Sequence, residues 1–317
     1  MCSIFSGCRP GLPLGIVALC SIFAVAPVRG AIERTVEKSF AVAPGGTLDA
    51  RTFGGSITIQ TGPADTVRIV VHESIDASDD AAADRILQDL DLKLEAKDNT
   101  VVVSAEYKGS HLGWLHRNPI RVAITATVPA SFNAKAHTSG GNVEVGDLSG
   151  KVDVHTSGGN IQFGHLSGES KADTSGGNIV IEEAGAAVHA HTSGGNILLK
   201  ESAAAGDLNT SGGDIRIERA GGPVQAHTSG GRVTAQFTVA PTADCTLSTS
   251  GGNVHVTLPT TAAVTLDAHT SGGQVKTALP VTIVGTHDKH HLRGTINGGG
   301  AKLTLRTSGG NISIEER

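Results

Sequence analysis

Histidine stands directly ahead of a recurring Thr-Ser-Gly-Gly phrase at His137, His155, His191, His227 and His269; Asp173, Asn209, Ser248 and Arg306 hold the same place elsewhere. Imidazoles and carboxylates are metal-ligand types. His155, Asp173 and His191, with His189 nearby, form the first candidate ligand set. If the repeats stack as strands, these side chains lie about 4.8 Å apart and point the same way, whereas a tetrahedral ion needs ligands around it. A solvated polar ladder is the simpler reading. Imidazoles stacked this closely would resist joint protonation and give the surface a pH response. A second cluster, His287, Asp288, Lys289, His290 and His291, sits in an expected loop and offers the same ligand types at no recognised spacing. No His-Glu-x-x-His, paired-cysteine or calcium-type nonapeptide pattern occurs. The sequence assigns no metal, no cofactor and no catalytic residue.

Two other places carry reactive or sticky side chains. The stretch 107–116 holds the only Tyr and the only Trp of the chain. Tyr107, His111, Trp114, Leu115 and His116 are the candidate partner-binding loop, the alternative being a loop whose Trp covers the end of a core. Glu182, Glu183 and Glu201 are outward acids, but nothing marks two of them as a glycosidase pair, and aromatic residues for sugar stacking make up only 3% of the chain. Cys245 falls on an inward position and reads as a small core residue.

The element that must position all of these is the repeat. Thr-Ser-Gly-Gly begins at Thr138, Thr156, Thr174, Thr192, Thr210, Thr228, Thr249, Thr270 and Thr307, with five spacings of 18 residues, two of 21 and a last one of 37. A fixed period of this size means stacked supersecondary units. Each unit reads as two short alternating strands, such as Val143–Val145 and Lys151–His155, bounded by glycine. The spacing predicts an all-β, single-stranded parallel β-solenoid with coils of about 18 residues and two strands each. Inward columns follow: Val143, Ile161, Ile179 and Ile197, and two residues on Val145, Phe163, Ile181 and Leu199. The outward residues Glu144, Gln162, Val180, Leu198, Arg216, Thr234, His255 and Lys276 keep no single chemistry. Gly-Gly is expected to turn the corner with positive φ and to let the next coil approach. The Asn that follows is expected to form an amide ladder. The gap of 37 residues is expected to hold two successive coils.

The segment 47–59 matches the repeat, so the solenoid is expected to start there and to be interrupted by an insertion of strands and one helix, Asp79–Leu90, that caps its end. The terminal Glu315-Glu316-Arg317 is expected to place charge on the opposite edge. Residues 1–30 read as a signal peptide: Arg9, an apolar run from Leu12 to Val25, and Val28-Arg29-Gly30 ahead of Ala31. The chain then divides into 1–30, a first rung with capping insertion over 31–136, and the repeat solenoid over 137–317. Without the first segment, 23 Lys and Arg face 30 acids, a formal charge of −7. A mildly acidic chain with no basic stripe argues against nucleic acid as a partner, and after cleavage no apolar stretch remains for a transmembrane helix.

The run from Phe40 to Ile59 (FAVAPGGTLDARTFGGSITI), the Thr-Ser-Gly-Gly-Asn-Ile rungs and the closing GTINGGGAKLTLRTSGGNISI (Gly294 to Ile314) together resemble the bacterial β-strand-repeat family known as "putative adhesin". That resemblance implies a domain of unknown function, an exported β-solenoid in the periplasm or at the cell surface, and no catalytic residues. The expected function is a non-catalytic adhesin, scaffold or protein-interaction surface at the cell envelope, facing an unidentified protein or surface ligand. A periplasmic accessory or sensing component of an envelope-stress system is the alternative, and a polysaccharide-active β-helix the weaker one.

Overall fold

The computed structural model describes residues 31–108, 119–284 and 288–317. The expected signal segment 1–30 lies outside them. The described chain forms one 13-stranded and one 14-stranded sheet, facing each other across a continuous apolar core. Each coil contributes one strand to each sheet. In the Thr156 coil, Val152–Thr156 runs in the 14-stranded sheet, the Ser-Gly-Gly-Asn corner crosses over, and Ile161–Leu166 runs in the 13-stranded sheet. Neighbouring coils pair in parallel and in the register of the repeat: Thr156 faces Thr174, Thr174 faces Thr192, and Ile161, Ile179 and Ile197 lie side by side. The β-solenoid expectation holds.

Alternation decides which side chains go inside. Ile179 and Ile181 are fully buried, while Val180 between them is half-buried on the outer face. Burying an aliphatic side chain of this size contributes about 1.5–3 kcal/mol, and every coil adds such pairs from both strands. Cys245 joins this core at 1% exposure, and burial pushes its thiol pKa up.

The two ends depart from simple stacking. After the Thr52 coil (Thr47–Thr52 and Ile57–Gly62) the chain runs outward. Thr100–Tyr107 and Ile120–Pro129 then form a further coil in parallel register with it, Thr52 opposite Ala105 and Ile57 opposite Ile124. Antiparallel strands close this end on both sheets: Thr66–Ile75 with Ile32–Ala41 outside it, and Leu90–Lys97. Among the described residues one helix, Asp80–Leu87, is capped by Asp79, whose carboxylate accepts from the Ala82 amide at 2.8 Å; it is shorter than the expected Asp79–Leu90, because Leu90 already begins a strand.

At the other end the order of coils is not the order of the chain. The Thr307 coil (Ala301–Thr307 and Ile312–Glu316) lies between the Thr249 and Thr270 coils, pairing in parallel with both. The gap of 37 residues therefore does not hold two successive coils. It contains a return hairpin, Thr282–Ile283 and His291–Ile296, laid antiparallel on the outside of Val264–Thr270. Glu315 and Glu316 consequently sit on an interior strand, and the open edge of that sheet is Val275–Thr277.

Candidate interaction surface

The repeated corner is a structural joint. Thr174 Oγ1 donates to the carbonyl oxygen of Gly159 in the preceding coil at 2.9 Å and accepts from its own Gly177 amide at 3.3 Å. The same two bonds recur at Thr138, Thr156, Thr192, Thr210 and Thr228. The Gly-Gly corners from the Thr138 coil onward do not take up positive φ, contrary to expectation; Gly55 in the Thr52 coil does, and the other positive-φ glycines among the described residues, Gly45, Gly298 and Gly299, lie outside the Gly-Gly corners. Glycine is required at the second position by close approach. A Cβ on Gly177 would collide with the carbonyl of Gly159, whereas one on Gly176 would meet nothing nearer than 3.7 Å. The Asn ladder also differs in kind from the expected one. Asn160 Oδ1 accepts from the Asn178 backbone amide, and Asn178 Oδ1 from that of Asn196, each at 2.8 Å. Side chain caps backbone, and the amides do not pair with each other.

The histidine column lies on the outer face of the 14-stranded sheet. His155 is flanked by His137 and Asp173, and Asp173 by His191. These neighbours do not converge. The Asp173 carboxylate turns along its own strand to Lys171 at 2.6 Å, and His189 Nδ1 lies 3.4 Å from Asp207. His137 and His155 stack with ring centroids 4.9 Å apart and planes 9° from parallel. Shielding from water, and then the His155 charge, lower the pKa of His137. The neighbouring face carries the opposite shift: His165, bonded to Asp147 at 2.9 Å, is held above the ordinary imidazole value by that carboxylate. Among the described residues no group of three or more His, Cys, Asp or Glu is arranged to hold a metal ion.

The second histidine cluster is divided. His287 lies outside the described residues. His290 Nδ1 meets the Gly273 carbonyl at 2.8 Å, while His291 Nε2 points to Asp267 at 3.4 Å. Asp267 is the centre of an ion cluster that the repeat pattern did not signal. Its side chain is 4% exposed and lies within 3.7 Å of Arg293, Arg306 and Lys302 as well. Burial alone would raise its pKa; Arg306, His291 and Arg293 outweigh that and hold it below the usual carboxylate range. These partners come from the return hairpin and from the displaced Thr307 coil, so the cluster fastens the altered coil order.

Of the candidate partner-binding loop, His111, Trp114, Leu115 and His116 lie outside the described residues. Tyr107 ends its strand beside Phe53, ring centroids 5.8 Å apart. Glu182 and Glu201 are engaged by Lys200 and Arg219.

The outer face of the 13-stranded sheet holds a groove of about 640 Å³ over the Thr210, Thr228, Thr249 and Thr307 coils. Arg216 and Glu218, paired at 3.0 Å, form one wall. Arg232 stands at the corner, and the shorter Thr234, Thr257 and Ser313 lie lower along the sheet. The groove begins at a bulge: Ile217 faces Ala235, but Ala220 faces Phe237, one residue short on the second strand. Bulges re-aim side chains and collect beside functional sites. The signal in the sequence is the change from Ile-x-Ile-x-x-Ala to Val-x-Ala-x-Phe at the coil where the period changes from 18 to 21 residues.

A family model, Toastrack DUF4097, matches residues 50–315. The chain belongs to the Toastrack DUF4097 family. This is a domain of unknown function, as the resemblance to the β-strand-repeat family implied. The Toastrack chain is also similar to a crystal structure of a putative adhesin from Bacteroides fragilis, at 13% identity over 90% of this chain and 97% of that one, with a TM-score of 0.40. It is similar to that of a putative lipid binding protein from Parabacteroides distasonis, at 13% identity over 89% and 96%, with a TM-score of 0.49. A putative cell adhesion protein from Clostridium sporogenes aligns at 13% identity over 90% and 100%, with a TM-score of 0.22. Similarity at this level carries no functional argument. No curated protein matches the chain. Among the described residues no helix is long and apolar enough to cross a membrane.

Proposed function

We propose that this chain is a non-catalytic, exported β-solenoid that acts as a rigid adhesive or scaffolding rod at the cell envelope and binds through its lateral faces. One observation carries the reading. The constant residues of the repeat are spent on folding, as shown by the Thr174 hydroxyl on the Gly159 carbonyl and the buried Ile179 and Ile181. Chemistry is left free to vary only on the outward columns, where Val180 and Leu198 give way to Arg216, Thr234 and His255. A surface that changes from coil to coil suits recognition of an extended partner better than a single reaction at one centre. The export step rests on residues 1–30.

The test is fractionation of the native cell followed by N-terminal sequencing and an attachment assay. The reading expects a chain starting at Ala31 in the periplasm, envelope or medium, and weaker attachment when the gene is deleted. A cytoplasmic chain that keeps Met1 would overturn it.

A further inference from the structure

We propose that the groove around Arg232 binds an acidic oligosaccharide, a short chain of carboxylate-bearing sugars. This deepens the reading of the chain as a binding rod and rests on it.

The charge points to an anion. Arg216 is neutralised by Glu218 at 3.0 Å. The Arg232 guanidinium makes no ion pair among the described residues, and only its backbone amide is engaged, donating to Asp214. Lys276 extends the column Arg216, Thr234, His255, Ser313 beyond the far side of the groove and is likewise unpaired among the described residues. Arg232 and Lys276, unpaired among the described residues, therefore stand at this groove beside the Asp214 and Glu315 carboxylates, in a chain whose net charge is −5. A guanidinium fits a carboxylate through two parallel hydrogen bonds.

The rest of the lining points to sugar. Hydroxyls of Thr234, Thr257 and Ser313 lie between the cations, and the carboxamides of Asn253 and Asn311 border them. The Oδ1 atoms of both Asn accept backbone amides of the next coil, at 2.7 and 2.9 Å, so their Nδ2 hydrogens remain for a ligand. His255 is held by Ser313 at 2.9 Å through Nδ1, and its Nε2 faces the Glu315 carboxylate at 3.7 Å. The lining contains no aromatic platform, so recognition runs on hydrogen bonds and charge, and rising salt weakens it. The column crosses five adjacent strands, about 19 Å at the usual strand spacing of ~4.8 Å. A linear polymer with a regular repeat matches such a row; a peptide would want apolar pockets for anchors.

The experiment titrates tetragalacturonate into the chain 31–317 by calorimetry, beside cellotetraose and a polyphosphate of similar length. Saturable binding is expected, at least about tenfold tighter than to the neutral sugar, weakened about tenfold or more by Arg232→Ala and abolished by Thr234→Glu, with unfolding curves unchanged. Equal binding of the neutral sugar or of polyphosphate overturns the ligand class. Binding untouched by both variants overturns the site. Cell attachment separates this proposal from the wider reading. Attachment lost on gene deletion but intact in Arg232→Ala removes the groove and keeps the rod. Groove-dependent binding in solution without any attachment defect on deletion keeps the groove and removes the adhesive role.

Discussion

The Thr174 hydroxyl donates to the Gly159 carbonyl, 2.9 Å away in the preceding coil, and both residues are buried. Thr174→Val keeps the shape and removes the donor, leaving a buried carbonyl unpaired. The expected loss is about 1–3 kcal/mol in denaturant unfolding, while Thr174→Ser loses clearly less. A larger loss for Ser, which lacks the methyl group, than for Val, which lacks the hydroxyl, would show that the methyl group and not the hydroxyl holds the corner.

The two glycines of one corner should differ sharply. Gly177→Ala forces a Cβ into the backbone of Gly159 and should cost about 3 kcal/mol or more. Gly176→Ala, with nothing nearer than 3.7 Å, should be close to neutral. Thermal melting of the two variants decides; similar melting points would contradict close approach as the reason for the second glycine.

Parity along a strand gives a third contrast. Ile179→Asp places a charge in a fully buried column and should cost more than about 4 kcal/mol, with several coils losing amide protection. Val180→Asp lies on the outer face and should stay within about 1 kcal/mol of the wild type. Hydrogen exchange reads both.

The Ile179 and Val180 contrast was legible in the sequence because period-two alternation and an 18-residue period each place a residue without reference to the rest of the chain; the difference between Gly176 and Gly177 was not. Nor was the order of the coils. Thr249, Thr270 and Thr307 carry the same columns, so any of them pairs equally well with either neighbour, and the repeat does not encode who sits next to whom. The contacts that distinguish the observed order are non-repetitive: Asp267 gathers Arg293, Arg306 and Lys302. The glycine corner was read correctly in position and in one of its two expected causes: close approach of the next coil holds, whereas positive φ does not from the Thr138 coil onward, and the two leave the same residue type behind. The groove was legible only as a change of period, because its floor is made of ordinary strand threonines and serines.

The Asp267 cluster predicts a pH dependence. The folded pKa of Asp267 is depressed, so the cluster's contribution is fully present above the unfolded value of about 3.9 and is lost as pH falls through the folded value. Asp267→Asn should cost about 3 kcal/mol near neutral pH, and the gap to the wild type should shrink below about pH 3.9. A gap that stays constant through acid would mean that the charge on Asp267 does not hold the displaced coil.

The central claim is that constant residues fold this rod and variable outward residues do its binding. Measuring both stability and tetragalacturonate binding for Thr174→Val and Arg232→Ala tests it most directly. The account predicts a crossed result: Thr174→Val loses stability and keeps binding at temperatures where it is folded, while Arg232→Ala keeps stability and loses binding. Arg232→Ala lowering stability with binding intact, or folded Thr174→Val failing to bind, would contradict it.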